Sequence, residues 1–247
     1  MRYFALCKYN GTEYFGWQAQ KTTDNTIQGI IEKTLSTITR EFVPITGCGR
    51  TDAGVHASQY YFHFDTNFEN IDNLKYKLNS ILPFSINIDN IRKVPNDAHA
   101  RYNAYRRAYD YYIAYERDPF REFTTFYYPN YKKLDLNLLQ EAAKLLLGYQ
   151  EFVPFCKTGS NVDVKKCEIF VSEWKFTDYG LHYHIEANRF LRGMIRLIVG
   201  MCLNVARGQL NIEQVKKSLD NQVRLKTDWS VPARGLFLSD IKYPFID

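Results

Sequence analysis

The residues best equipped for chemistry in this chain lie in one run, Gly47-Cys48-Gly49-Arg50-Thr51-Asp52-Ala53-Gly54-Val55-His56. Three glycines within eight residues let the backbone turn sharply and approach another group closely. Asp52 brings a carboxylate and Arg50 a guanidinium two positions away. A neighbouring guanidinium favours the ionised carboxylate, and an ionised carboxylate can serve as nucleophile or base. An isolated G-x-x-D reads as a tight turn in which Asp caps a backbone N–H. The length of this run and the cation within it set a chemical reading beside that one.

Two further constellations could serve such a carboxylate. In Arg189-Phe190-Leu191-Arg192-Gly193-Met194-Ile195-Arg196 the three arginines fall at i, i+3 and i+7, one face of a helix. The rest of that helix is apolar nearly all round, which implies burial. Buried arginines need partners. One could pair with an active-site carboxylate while others meet phosphates; a salt-bridged or solvated edge is the competing explanation. The third run spans Arg101 to Tyr112, where Arg107, Tyr109 and Tyr111 alternate and so share one strand face. Basic residues interleaved with aromatics suit single-stranded RNA, although plain aromatic packing accounts equally for most of these tyrosines.

Other chemistries are poorly supported. His182 and His184 put two imidazoles on one strand face, but spacing supplies no third ligand, so no metal is expected. Cys48 lies among glycines without a histidine that spacing would pair with it. Neither a Walker-type phosphate loop nor a G-x-G-x-x-G dinucleotide fingerprint occurs.

The elements that must position these residues can be read from periodicity. Residues 1–9 alternate and end at the turn signal Asn10-Gly11. Ile27, Ile30, Ile31, Thr34, Leu35 and Ile38 mark one helix face. Strands are expected over 45–47, 60–65 and 85–94, with a helix over 71–82. In the second half, strands are expected over 105–115, 168–176, 181–187 and 235–243. Helices are expected over 134–147, 189–207 and 211–219, and Asp178-Tyr179-Gly180 forms a hairpin signal. This intermixing predicts an α+β fold: two α/β lobes, 1–98 and 99–247, share a largely antiparallel central sheet. Helices pack on one side of it, and an active-site cleft lies between the lobes.

Composition sets the bounds. The 247 residues are 45% hydrophobic and 24% charged, which suits a globular protein with a real core. Nineteen Tyr and 17 Phe are most readily used in strands and core. A formal charge of +5 and a pI of about 8.8 permit a polyanionic partner without requiring one. Five widely spaced cysteines and no C-x-x-C argue against a disulfide framework or structural zinc, and point to a cytoplasmic chain. The N-terminus is too polar for a signal peptide, and no apolar stretch is long enough to span a bilayer.

Taken in order, these runs resemble the tRNA pseudouridine synthase A family over nearly the whole chain. Tyr9-Asn10-Gly11 with Phe15-Gly16-Trp17-Gln18 and Gln20 is similar to its N-terminal signature, and Thr26-Ile27-Gln28-Gly29 to the opening of its first helix. Gly49 through Ala57 is its most specific motif. His99-Ala100-Arg101-Tyr102-x-Ala104, Arg107-x-Tyr109-x-Tyr111, Gly148-x-x-x-Phe152-x-x-Phe155, Phe190-Leu191-x-x-Met194-Ile195-Arg196 and Ala233-x-Gly235-Leu236-x-Leu238 follow in register. Where family members often carry His or Tyr, this chain has Arg192-Gly193. The resemblance implies that Asp52 is the catalytic aspartate, Tyr109 the active-site tyrosine and Arg196 the basic residue paired with the aspartate. Arg50, Arg107, Arg189 and Arg192 become candidates for substrate binding. It further implies a homodimer, a tRNA substrate modified in the anticodon stem-loop at positions 38–40, and no cofactor, because uridine and pseudouridine are isomers. Asp52, Tyr109 and Arg196 are then expected to converge on one cleft. A non-catalytic RNA-binding protein on the same sheet would need the basic and aromatic faces but not Asp52. A hydrolase would use Cys48 or the histidine pair.

Overall fold

A computed structural model describes residues 1–157, 166–177 and 179–246. In chain order they form β1 (Arg2–Tyr9), α1 (Ile27–Thr39), β2 (Ile45–Gly47), β3 (His56–Asp65), α2 (Leu74–Ile81), β4 (Ile86–Lys93) and β5 (Arg106–Ala114). Then follow β6 (Phe126–Tyr127), α3 (Leu136–Leu145), β7 (Ile169–Thr177), β8 (Gly180–Ala187), α4 (Met194–Ala206), α5 (Ile212–Asp220) and β9 (Leu236–Lys242). The chain divides into two compact units, Met1–Tyr105 with Phe237–Asp247, and Arg106–Leu236. The α+β class and the largely antiparallel pairing hold in both.

In the first unit β1 is flanked by β3 and β4, both antiparallel to it, and β2 lies antiparallel on β3. Strand β3 begins at His56 rather than at Tyr60, where local alternation begins, because Ala57 also pairs with Tyr9 of β1 and because His56 and Ala57 pair in parallel with Phe237 and Leu238 of β9. These pairings join residues far apart in sequence and leave no local signal. Helix α1 starts where Thr26 accepts a hydrogen bond from the Gly29 amide, satisfying one of the free N–H groups of the first turn. Ile27, Ile31 and Leu35 of α1 join Leu74 and Leu78 of α2 in a core with Trp17, Tyr60, Phe62 and Phe64, all buried. Part of the chain's aromatic richness is thus spent on packing here.

In the second unit β8 lies between β5 and β7, antiparallel to each, and β6 runs parallel to β5. Of the expected hairpin signal, Asp178 lies outside the described residues. Helix α3 opens on Asp135, whose carboxylate accepts from the amides of Asn137 and Leu138. It packs on β7, where the Ser172 hydroxyl donates to the Ala143 carbonyl. Helix α4 is buried on nearly every side, as its composition predicts. Its start is a correction. The expected helix over 189–207 begins only at Met194, because Gly193 has φ +71° and lies in the left-handed region, which ends a right-handed helix there. Arg189 and Arg192 therefore lie in the segment before α4, and the i, i+3, i+7 face with Arg196 does not form.

Candidate active site

The loop carrying Asp52 is tied down on both sides. At its start the Cys48 amide donates to the Tyr61 carbonyl at 2.8 Å, and the Tyr60 hydroxyl donates to the Gly49 carbonyl at 2.6 Å. The hydroxyls of Thr51 and Tyr9 are 2.8 Å apart, and the Thr51 carbonyl accepts from the Trp17 amide at 3.2 Å. Beyond Asp52, the Val55 amide closes a turn onto the Asp52 carbonyl at 3.1 Å. His56, fully buried, accepts the Gly11 amide on Nδ1 at 3.0 Å. Trp17 stacks on Tyr60 with ring centroids 3.9 Å apart, so the base of the loop is aromatic and close-packed. Asp52 is left half-buried at the crest, between buried Thr51 and exposed Ala53. The Gly-rich turn expected from the sequence is present, and Asp52 stands half-buried within it.

The segment from Gly11 to Gln18 is the other wall of this loop. Gly16 has φ +89°, and a Cβ added there would meet the Thr51 carbonyl oxygen at 2.6 Å, so only glycine allows this approach. Arg50 is exposed, and its Nε donates to Gln18 Oε1 at 3.2 Å. Gln18 in turn donates to Gln28 in α1, so the guanidinium is held by a relay that begins on that helix. Cys48 is 1% exposed, which removes it as an accessible nucleophile.

The remaining candidates belong to the second unit. On β5, Arg107 and Tyr109 are half-buried and Tyr111 is fully buried with its hydroxyl on the Pro232 carbonyl at 2.8 Å. Tyr111 is therefore a core residue, and burial raises its phenol well above the usual range. Arg107 donates Nη1 to the Asn188 carbonyl at 2.9 Å, and the Tyr109 ring meets Phe190 edge-on at 5.2 Å. The structure thus brings Arg107 and Tyr109 together with the segment that holds Arg189. Arg192, exposed, has its carbonyl fixed by the Lys157 amide at 3.0 Å. Arg196 sits in the first turn of α4, where its Nε donates to the Val231 carbonyl at 2.6 Å and its own carbonyl accepts from the Val231 amide at 3.3 Å. That two-way tie fixes the first part of the side chain and the helix turn beneath it. Proximity to Val231, on a segment 35 residues away, had no signal in sequence spacing.

Comparison with known proteins agrees with this arrangement of motifs. The sequence profile of a family described as tRNA pseudouridine synthase matches residues 5–103 and 142–244. The chain is 40% identical over 246 residues to the tRNA pseudouridine synthase A of Bacteroides fragilis, covering 98% of this chain and 96% of that protein. It is 41% identical to its counterpart in Azobacteroides pseudotrichonymphae, covering 98% and 97%, and 34% identical to that of Staphylococcus aureus, covering 98% and 91%. A family match over more than half of the chain, with relatives at this level of identity over nearly the full length of each protein, places the chain in the tRNA pseudouridine synthase family.

Proposed function

We propose that this chain, an isomerase of the tRNA pseudouridine synthase family, converts uridine to pseudouridine in the anticodon stem-loop of tRNA, at positions 38–40, with Asp52 as the reactive carboxylate. The observation that carries this reading is the anchoring of the Asp52 loop. Its flanking residues are bonded to β1, to Trp17 and to β3, while the carboxylate-bearing residue stays half-buried at the crest. A loop backbone held this way loses little further freedom when substrate arrives.

The reaction breaks the bond between ribose C1′ and uracil N1 and forms one between C1′ and C5. The C5 proton leaves and N1 gains one, so substrate and product are isomers and no second reagent is consumed. Asp52 either adds to the nucleoside or takes a ribose proton. Arg196 serves the carboxylate, and Tyr109 stacks on the uracil. The edge-on Phe190 supports Tyr109 in that role. The target nucleotide must leave its stack to be reached, as for other base-modifying enzymes. Arg50, Arg107, Arg189 and Arg192 serve the phosphates, so affinity for tRNA falls steeply with salt. The protein acts in the cytoplasm as a homodimer whose subunits hold one tRNA jointly. The basic balance of the chain, +5, suits that partner.

The deciding experiment is tritium release from tRNA carrying 5-tritiated uridine. Asp52→Ala and Asp52→Asn abolish release while tRNA binding persists. Measurable pseudouridine formation by either variant overturns the assignment of Asp52. Release by wild type with tRNA mutated at all three positions overturns the assignment of the target.

A further inference from the structure

Away from the Asp52 loop, the face of β5 opposite Tyr109 carries a compact group of ionisable side chains. Strand register sets Asp110 directly across from His184, and Tyr112 across from His182. The two imidazoles therefore flank one carboxylate. Asp110 Oδ1 lies 2.6 Å from His182 Nε2 and 2.7 Å from His184 Nδ1. One nitrogen of each ring thus points at a single oxygen. The ligand that spacing along one strand could not supply comes from the neighbouring strand.

We propose that Asp110, His182 and His184 form a binding site for a divalent first-row transition ion of the zinc class. One ligand atom from each residue lies within 4.8 Å of the other two. Two imidazole nitrogens and one carboxylate oxygen are an ordinary donor set for zinc, with water completing a four-coordinate shell. Zinc at ~2.0–2.2 Å from each donor places ligand atoms roughly 3.3–3.5 Å apart. The Asp110–imidazole separations would open by about 0.7 Å from the hydrogen-bonded arrangement, a shift that side-chain torsions of half-buried residues supply. The side chains are 13–22% exposed, so an ion can enter and water can complete its shell.

The surroundings match what orients metal-bound histidines. The far nitrogen of His184, Nε2, lies 2.9 Å from Glu186 Oε1, and Glu186 is in turn paired with Arg106. A carboxylate behind a ligating imidazole fixes ring orientation and raises its basicity. His182 is stacked on Tyr112 at 4.7 Å, which fixes the plane of the second ring. An ion here would clamp β5 to β8. Because Arg107 and Tyr109 project from the other face of β5, the clamp would steady the strand that carries them. The inference stands on this cluster alone and does not depend on the assignment of Asp52.

The test uses the full tag-free chain with zinc and cobalt(II) as probes. Equilibrium dialysis should find one zinc per chain, and bound cobalt should show tetrahedral d–d absorption without sulfur charge transfer. Saturating zinc, at about a hundredfold excess over Kd, should raise the unfolding midpoint on the order of 5 °C. His182→Gln and His184→Gln should each weaken binding at least tenfold, while His99→Gln, at an imidazole outside the cluster, should not. Imidazole NMR signals of His182 and His184 in the unaltered chain should move on zinc addition, which keeps the test valid if a variant misfolds. Failure of the unaltered chain to bind zinc, or binding that leaves those signals in place, overturns the proposal. So does equal binding by the His182→Gln, His184→Gln double variant.

Discussion

The hydroxyl of Tyr9 lies 2.8 Å from that of Thr51, the residue immediately before Asp52. Both residues are buried, and Tyr9 belongs to the strand paired with β3 and β4. A central strand of the first unit is therefore joined, through two side-chain hydroxyls, to the residue that precedes Asp52. Tyr9→Phe and Thr51→Val should each cost ~1 kcal/mol of stability, the usual contribution of a buried hydrogen bond. Activity should fall through kcat with KM for tRNA little changed, because phosphate contacts are untouched. Urea unfolding and steady-state tritium release measure the two effects separately.

Gly16 tests the other wall of the loop. Alanine there combines φ +89° with a Cβ 2.6 Å from the Thr51 carbonyl oxygen, so the loop must shift or the backbone must strain. Gly16→Ala should destabilise by roughly 1–3 kcal/mol and lower kcat sharply. Gly49 lies in the same loop, yet a Cβ there meets nothing within 4 Å. Gly49→Ala should change stability by no more than about 0.5 kcal/mol. Paired denaturation curves make the comparison.

The arginines before and within α4 should separate by phenotype. Arg192 is exposed and lies outside the helix. Arg192→Ala should weaken tRNA binding across substrates and reduce the slope of log affinity against log salt by about 1. Arg196 is half-buried and its Nε is committed to Val231. Lysine keeps the charge but lacks that nitrogen and its fixed fork. Arg196→Lys should therefore lose at least about tenfold in kcat/KM, roughly 1.4 kcal/mol of transition-state stabilisation, and filter-binding affinity should change far less.

His63 gives the first unit a pH-dependent term. Burial, followed by the nearby Arg2 and His99 charges, lowers it to about 4, against a partly opposing influence of Asp65. Its Nδ1 accepts the Ala100 amide at 3.1 Å, which requires an unprotonated nitrogen there. A histidine whose folded value lies below its unfolded value of about 6.5 contributes stability that is fully present above 6.5 and is lost as pH falls through about 4. Unfolding midpoints in urea should decline across that window, and His63→Gln should flatten the decline. An imidazole titration by NMR that places His63 near 6.5 would contradict the assignment.

Local patterns in the sequence carried much of the fold. The spacing of Ile27, Ile31 and Leu35 places α1 within a residue of its observed ends, and alternation places β1, β2, β4 and β5 nearly as closely. These elements are legible because helix and strand periods are local properties of side-chain direction. The family, and with it the reaction class, was also legible, because its motifs are contiguous runs of residues. What spacing could not settle lay in left-handed backbone and long-range pairing. Gly193 decides that Arg189 and Arg192 stand outside α4, since its φ of +71° breaks the right-handed helix there, and a glycine in the sequence does not announce which sign of φ it takes. The pairing of His56 and Ala57 with β9 lengthens β3 and brings the C-terminal segment to the first unit. Register between β5 and β8 joins Asp110 to two histidines more than 70 residues away. A sequence determines which residue types are available and what each short segment prefers. Only tertiary packing decides which of them share a face, because that depends on contacts between residues that are remote along the chain.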